Sequence, residues 1–112
     1  MKKFAELILL ILIYQNLFAQ YTLNGSAAQI SCNEYRLTQA VNGQSGSVWN
    51  NNKIDLTNSS DFKFDVFLGY SSSPGADGIA FVLQPISTSV GTTGGGLGYS
   101  GVSPAVGITI DT

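Results

Sequence analysis

Residues 75–85 read GADGIAFVLQP, and an almost unbroken apolar run fills positions 78–83. A run of this length between turn residues is typical of a strand that is covered on both faces. The segment before it, residues 61–69 (DFKFDVFLG), alternates so that one of its faces is wholly apolar, which predicts a second strand. Residues 71–75 (SSSPG) predict a hairpin loop between these two strands.

Shorter β-rich runs surround this pair. A third strand is predicted over residues 105–111 (AVGITID), and weaker candidates cover residues 35–38 and 47–49. Residues 92–98 (TTGGGLG) contain too much glycine for a regular element. After residue 19 there is no helical apolar stripe longer than about two turns. The sequence therefore predicts an all-β protein, built as an antiparallel β-sandwich.

The composition excludes several classes of site. The 112 residues carry a formal net charge of −2, with one Cys and no His. This chain alone therefore cannot build Ser-His-Asp or Cys-His catalytic machinery, or a Cys/His zinc site. Cys32 cannot form a disulfide within the chain and is expected to be a small apolar filler or a free thiol. The acidic balance argues against nucleic acid as a partner, because proteins that bind phosphates cluster Lys and Arg.

Residues 1–19 have the organisation of a secretory signal peptide. Two lysines precede an apolar run at residues 7–14 (LILLILIY), and Ala19 provides a small residue at the cleavage site. The run is shorter than the roughly 20 residues that span a bilayer core, so a membrane anchor is the weaker interpretation. We expect a mature chain of residues 20–112 that is secreted or on the cell surface, bacterial in origin, with no membrane span after cleavage.

The mature chain is expected to be the N-terminal part of a longer domain. The third predicted strand runs to Thr112 without a turn or a polar tail. Natural sheets usually protect their edge strands, which makes a complete small domain the weaker alternative. A core made from about 90 residues would also be marginal.

Three motifs have both structural and functional interpretations. Residues 96–101 (GLGYSG) match G-x-G-x-x-G, but no helix is predicted after them, which favours a loop with close backbone approach over a dinucleotide site. Asp77 is equally compatible with a turn residue and with a rigid carboxylate that accepts sugar hydroxyls. Asp111 shares a strand face with Thr109, and on residues alone this pair favours a solvent-facing carboxylate over a Ca²⁺ site.

Two aromatic residues have rings suited to stacking on a sugar. This interpretation is kept for Tyr99, whereas a core position is favoured for Trp49, because large aromatic side chains dominate the cores of small β domains. Asn24 and Asn58 each begin an N-x-S sequon, which matters only in a eukaryotic secretory pathway.

Five segments, taken in order, resemble the front half of an L-type, legume-lectin-like domain of bacterial secreted proteins. These segments are residues 54–57 (IDLT), 62–66 (FKFDV), 75–85 (GADGIAFVLQP), 94–99 (GGGLGY) and 106–112 (VGITIDT). The resemblance covers roughly residues 23–112, and its specific part is ADGIAFV followed by GGGLGY. It implies a concanavalin A-like jelly roll of two large antiparallel sheets.

The resemblance also implies a binding site. Asp77 matches the family's Asp that accepts sugar hydroxyls, and the Ala76–Asp77 peptide bond is expected to be cis. Gly95 matches the glycine whose backbone N–H donates to the sugar, and Tyr99 is expected to line the pocket. Asp111 matches the Asp that bridges the metals of this family.

One departure from the family pattern concerns the metals. Thr109 stands where the family's metal strand usually has Glu. Loss of that carboxylate argues against Mn²⁺ or another transition metal and leaves Ca²⁺ as the expected cofactor. The family's next ligands correspond to positions after Thr112.

The expected function is therefore a secreted, non-catalytic, calcium-dependent carbohydrate-binding domain, with a carbohydrate or glycoconjugate as partner. A glycoside hydrolase of similar fold is one alternative. Canonical glycosidases need two carboxylates about 5–9.5 Å apart, and the strand over residues 105–111 offers Asp111 alone, which favours a lectin. A structural adhesin module without sugar binding is the second alternative, which the Thr109 departure supports.

Overall fold

The computed structural model describes residues 1–2, 20–70 and 75–111 of the chain. Within these ranges the protein is all-β, with six strands and one short 3-10 turn. The strands are β1 (Tyr21–Gly25), β2 (Ala28–Ser31), β3 (Glu34–Arg36), β4 (Gly46–Asn50), β5 (Gly78–Leu83) and β6 (Val106–Asp111), and the turn spans Gly94–Gly96. The expected signal peptide lies almost entirely outside the described residues. A search of the described part of the chain finds no helix with the length and hydrophobicity that crossing a membrane requires.

The strands pair in three antiparallel ladders of two strands each. β1 pairs with β4, β2 with β3, and β5 with β6. The β5–β6 ladder runs from Gly78 opposite Asp111 to Leu83 opposite Val106. The antiparallel, all-β fold class predicted from the sequence is thus confirmed, and β5 has the predicted bounds.

The segment over residues 61–69 belongs to no ladder, so its prediction as a strand is wrong. The predicted hairpin is wrong as well, because β5 takes β6 as its partner, and residues 71–74 of its loop lie outside the described residues. The rings of Phe62 and Phe64 lie with their centroids 5.6 and 5.3 Å from that of Phe81 in β5. The segment therefore contacts β5 through its side chains rather than through the edge where ladder hydrogen bonds form.

The glycine-rich stretch contains more order than its composition predicts. Gly94–Gly96 forms a 3-10 turn that ends at Leu97, whose φ of 45° lies in the left-handed region. The Leu97 N–H donates to the Gly94 carbonyl oxygen at 3.0 Å. No helix begins on the G-x-G-x-x-G match within the described residues, so the prediction of a loop there is confirmed.

The apolar surface of these strands is open. None of the described residues is buried. An open trough of about 3260 Å³ runs between the elements and is lined largely by apolar side chains. The exposed fractions of Phe64, Val106 and Ile108 are 57%, 68% and 67%. β5 is half-buried along its whole length, so neither of its faces is fully covered in the way predicted.

Candidate functional site

Asp77 is fixed by the residue that follows it. Gly78 opens β5 with a φ of +122°, a conformation that side chains other than hydrogen rarely allow. A Cβ on Gly78 would collide with the Ile110 carbonyl oxygen and would lie 3.1 Å from the Asp111 Cα. The peptide bond before Asp77, from Ala76, is cis, the form that the resemblance implies. Asp77 therefore stands at the mouth of the β5–β6 ladder, one residue before the tightest contact between the two strands.

The Asp77 carboxylate faces the glycine-rich turn. Its Oδ2 lies 3.7 Å from the position that a Cβ would take on Gly94. Among residues 20–70 and 75–111 the carboxylate has no hydrogen-bond or ion-pair partner. On Gly95 a Cβ would meet nothing within 4 Å, so the space in front of this residue is open. The fold thus brings together an exposed carboxylate at Asp77 and an accessible backbone in the turn that begins at Gly94, 17 positions later in the sequence.

Asp111 lies at the same end of the ladder. It pairs in register with Gly78, so the backbones of Asp77 and Asp111 come together at the mouth of β5 and β6. Thr109 is opposite Ala80 and, two residues from Asp111 on the same strand, shares its face. This placement agrees with the strand-face relation inferred from the sequence.

The donor set at this end does not fit a complete calcium site. Ca²⁺ takes six to eight oxygen ligands. Within the described ranges no group of three or more His, Cys, Asp or Glu side chains gathers closely enough to hold a metal ion. Asp111 and Thr109 together offer one carboxylate and one hydroxyl, so these two side chains would need further oxygen ligands to hold the ion.

Tyr99 has a packing contact on β6. A Cβ on Gly107 would lie 2.8–3.1 Å from ring atoms of Tyr99, so the ring packs directly over the backbone of β6. Gly107 precedes Asp111 by four residues, which corresponds to about 13 Å along a strand. The structure therefore gives Tyr99 a packing contact on β6, and its role in lining a sugar pocket stays a prediction.

Two residues given other interpretations from the sequence donate hydrogen bonds to the segment that precedes the glycine-rich stretch. The Asn24 side-chain amide donates to the Thr88 carbonyl oxygen at 2.8 Å, and the Trp49 indole N–H donates to the Val90 carbonyl oxygen at 3.1 Å. The partners are 64 and 41 residues apart in sequence. No local pattern predicts bonds of this range.

The remaining polar features lie elsewhere. Asp55 accepts hydrogen bonds from the Thr57 hydroxyl and backbone N–H at 2.7 and 2.9 Å, and from the Asn58 amide at 2.8 Å. The two bonds from Thr57 are the main reason that the pKa of Asp55 is lowered from its ordinary value. Cys32 is an exposed free thiol, which agrees with the second of its two interpretations.

The comparison with protein families decides the affiliation of the chain. A model described as the legume lectin beta-barrel domain matches residues 14–112. The chain belongs to this family. Membership in the legume lectin domain family agrees with the antiparallel all-β structure.

One similar protein is a pesticidal crystal protein, Cry22Aa, from Bacillus thuringiensis. It is 40% identical over 94 residues, which make up 82% of this chain but 13% of that protein. The legume lectin domain described here thus corresponds to a small part of a much longer relative. No solved structure matches the chain significantly.

Proposed function

We propose that this legume lectin domain binds carbohydrate through Asp77 and Gly95 and that it acts in a secreted or cell-surface protein without catalysing a reaction. The observation that carries the proposal is the Asp77 carboxylate, which has no hydrogen-bond or ion-pair partner among the described residues and whose Oδ2 lies 3.7 Å from the position that a Cβ would take on Gly94 in the glycine-rich turn. Such a carboxylate has both oxygens available for sugar hydroxyls, and these hydrogen bonds gain strength from its charge.

The glycine-rich turn supplies the complementary group. Gly95 is exposed, and nothing lies within 4 Å of its Cβ position, so a sugar ring can approach its backbone N–H closely. A donor and an acceptor on two sides of one opening suit a neutral ligand that carries several hydroxyls. β6 presents Asp111 with Thr109 as its face neighbour, so this strand does not carry both carboxylates of a canonical glycosidase, which favours binding over catalysis.

The test is sugar binding by the natural full-length protein, measured calorimetrically with a panel of mono- and disaccharides. Asp77→Asn keeps the size of the side chain but removes its charge. Two charge-assisted hydrogen bonds would each lose about 1 kcal/mol, which predicts an affinity loss of about 30-fold. The matched control is Asp61→Asn. In the wild-type protein the Asp61 side chain is 78% exposed, and its carboxylate pairs with Lys63 on the surface. Undiminished binding by Asp77→Asn would refute the site assignment.

Calcium is a second part of the proposal. Asp111 supplies one carboxylate at the mouth of β5 and β6, beside Asp77, and hard cations prefer such oxygen ligands. In the full-length protein, a chelator should lower the thermal midpoint and added Ca²⁺ should restore it, whereas Asp111→Asn should be insensitive to both. An identical midpoint of the wild-type protein with and without chelator would contradict this part, and it can do so without any sugar measurement.

The open trough supports a third part, that residues 20–112 form the N-terminal portion of a larger β domain. A folded domain encloses its apolar surface, yet the described residues include no buried side chain. We therefore expect strands elsewhere in the natural protein to cover Phe62, Phe64 and the outer face of β6. The fluorescent dye ANS should bind strongly to isolated residues 20–112 and weakly to the full-length protein. Equal, weak binding by both would contradict this part.

A further inference from the structure

The segment that leads into the glycine-rich turn is held from one side by the β1–β4 ladder. Asn24 of β1 and Trp49 of β4 donate side-chain hydrogen bonds to the carbonyl oxygens of Thr88 and Val90, at 2.8 and 3.1 Å. Both bonds are partly buried, and Trp49 is half-buried. The second acceptor, Val90, lies four residues before Gly94.

The register of the ladder explains how the two donors act together. Trp49 is opposite Thr22, and Thr22 and Asn24 lie on the same face because they are two residues apart on one strand. Asn24 and Trp49 are therefore diagonal neighbours on that face. The two carbonyl groups that accept these bonds, those of Thr88 and Val90, are likewise two residues apart. The spacing of the donors on the ladder therefore matches the spacing of the acceptors in the segment before the turn.

Next to the end of the β1–β4 ladder, apolar packing contributes little to holding the segment before the turn. A small cleft of about 190 Å³ separates the end of the ladder from the segment before the turn. Its lining consists of glycines, Asn24, Val90 and side chains that end in hydroxyls, namely Ser45, Ser47, Ser89, Thr92 and Thr93. Because apolar side chains do not fill this gap, the segment depends on its hydrogen bonds for its distance from the ladder.

The turn itself is ordered by its own bonds once its start is fixed. Leu97 N–H donates to the Gly94 carbonyl oxygen, and Tyr99 and Ser100 N–H both donate to that of Gly96, at 3.0–3.1 Å. Release of the preceding segment would therefore free the start of the turn, loosen these bonds and shift the turn. Its distance from the Asp77 carboxylate would change with it.

We infer that Asn24 and Trp49 are positioning residues, which set the place of the Gly94–Gly96 turn relative to Asp77 and thereby tune saccharide affinity. The inference rests on the proposed function only for the nature of the ligand. The positional part concerns the turn alone and is measurable without any sugar.

The test uses two variants, Trp49→Phe and Asn24→Ala, and compares them with a matched control. Trp49→Phe keeps most of the aromatic ring but removes the N–H donor. The control is Thr22→Val, which removes the 2.6 Å hydrogen bond from the Thr22 hydroxyl to Asn51 on the same ladder without touching the segment before the turn. In the full-length protein, the amide hydrogens of Leu97, Tyr99 and Ser100 should exchange faster in both test variants and not in the control.

Saccharide affinity should fall about fivefold in each test variant, the effect of one net hydrogen bond, and stay unchanged in Thr22→Val. Exchange in β1 and β4 themselves should be normal in Trp49→Phe, which separates loss of position from unfolding. Normal exchange at the three turn amides in Trp49→Phe would overturn the inference, and so would faster exchange without any change in affinity. If the wild-type protein bound no saccharide, the proposed function would fail, whereas the exchange data would still decide whether the turn is held in this way.

Discussion

Replacing Gly78 with alanine should separate β5 from β6 at the site. Gly78 has a φ of +122°, and its Cβ position collides with the Ile110 carbonyl oxygen of the partner strand. The same Cβ would lie 3.1 Å from the Asp111 Cα, and neither contact is to a flexible side chain that can move away. An alanine must therefore change its own backbone conformation or push β6 outward.

The cost follows from these two effects. A non-glycine residue in a sparsely populated region of backbone space costs about 1–3 kcal/mol. Displacing the end of β6 removes one or two ladder hydrogen bonds, each with a net value of about 1 kcal/mol. Where both effects occur, the sum is about 2–5 kcal/mol, a large share of the roughly 5–15 kcal/mol that stabilises a typical domain. For a domain of 150–250 residues, this corresponds to a fall of about 10 °C in the thermal midpoint.

The assay is differential scanning calorimetry of the full-length protein, with Gly95→Ala as the control. Gly95 does not have a positive φ, and nothing lies within 4 Å of its Cβ position. Its replacement should leave the midpoint unchanged or raise it slightly. A midpoint of Gly78→Ala within about 2 °C of wild type would refute the close approach of Gly78 to β6, and with it the explanation of how Asp77 is fixed.

Three further predictions follow from the same geometry. Gly95→Ala should fold normally but should lower saccharide affinity about tenfold or more in calorimetric titrations, because the new methyl group enters the open space that the sugar needs. Unchanged affinity would count against Gly95 as a donor. Gly107→Ala should displace the Tyr99 ring, whose atoms lie 2.8–3.1 Å from the new Cβ, and should change the near-UV circular dichroism; an unchanged spectrum would contradict this packing. Thr57→Val should raise the pKa of Asp55 toward its ordinary value of 3.8, as followed by carbon-13 NMR. Folding lowers the pKa of this carboxyl, so the stability that it contributes is present above about pH 4 and is lost as the pH falls through the lowered pKa. The free energies of unfolding of Thr57→Val and wild type should therefore converge in acid. A difference that stays constant with pH would contradict this origin of the stability.

The sequence predicted best the parts of the fold that depend on local pattern. The apolar run over residues 78–83 became β5, and the alternating run near the end became β6, because strand-forming residues bounded by turns leave few other choices. The pattern of residues 61–69 was just as clear, and the rings of Phe62 and Phe64 do contact Phe81 in β5. The segment forms no ladder, because alternation specifies which side chains share a face and says nothing about which backbone lies beside the segment.

The candidate site likewise contains residues that local sequence signals predict and residues whose roles depend on distant contacts. Asp77 and the glycine-rich turn were found from the sequence because a carboxylate next to Gly78 and a run of glycines are local signals, and the family resemblance placed them together. Asn24 and Trp49 were given other roles, since their hydrogen-bond partners, Thr88 and Val90, are backbone carbonyl groups that any residue could supply. A hydrogen bond to a backbone carbonyl 41 or 64 residues away cannot be predicted from the residue types near the donor.

The most direct test of the central claim is a crystal structure of the natural full-length protein with a saccharide that it binds in solution. The account predicts that hydroxyl oxygens of the sugar lie within about 3 Å of the Asp77 carboxylate oxygens and that the Gly95 backbone N–H donates to the same sugar. A saccharide bound at another place, with Asp77 and the Gly94–Gly96 turn in contact only with solvent, would contradict it.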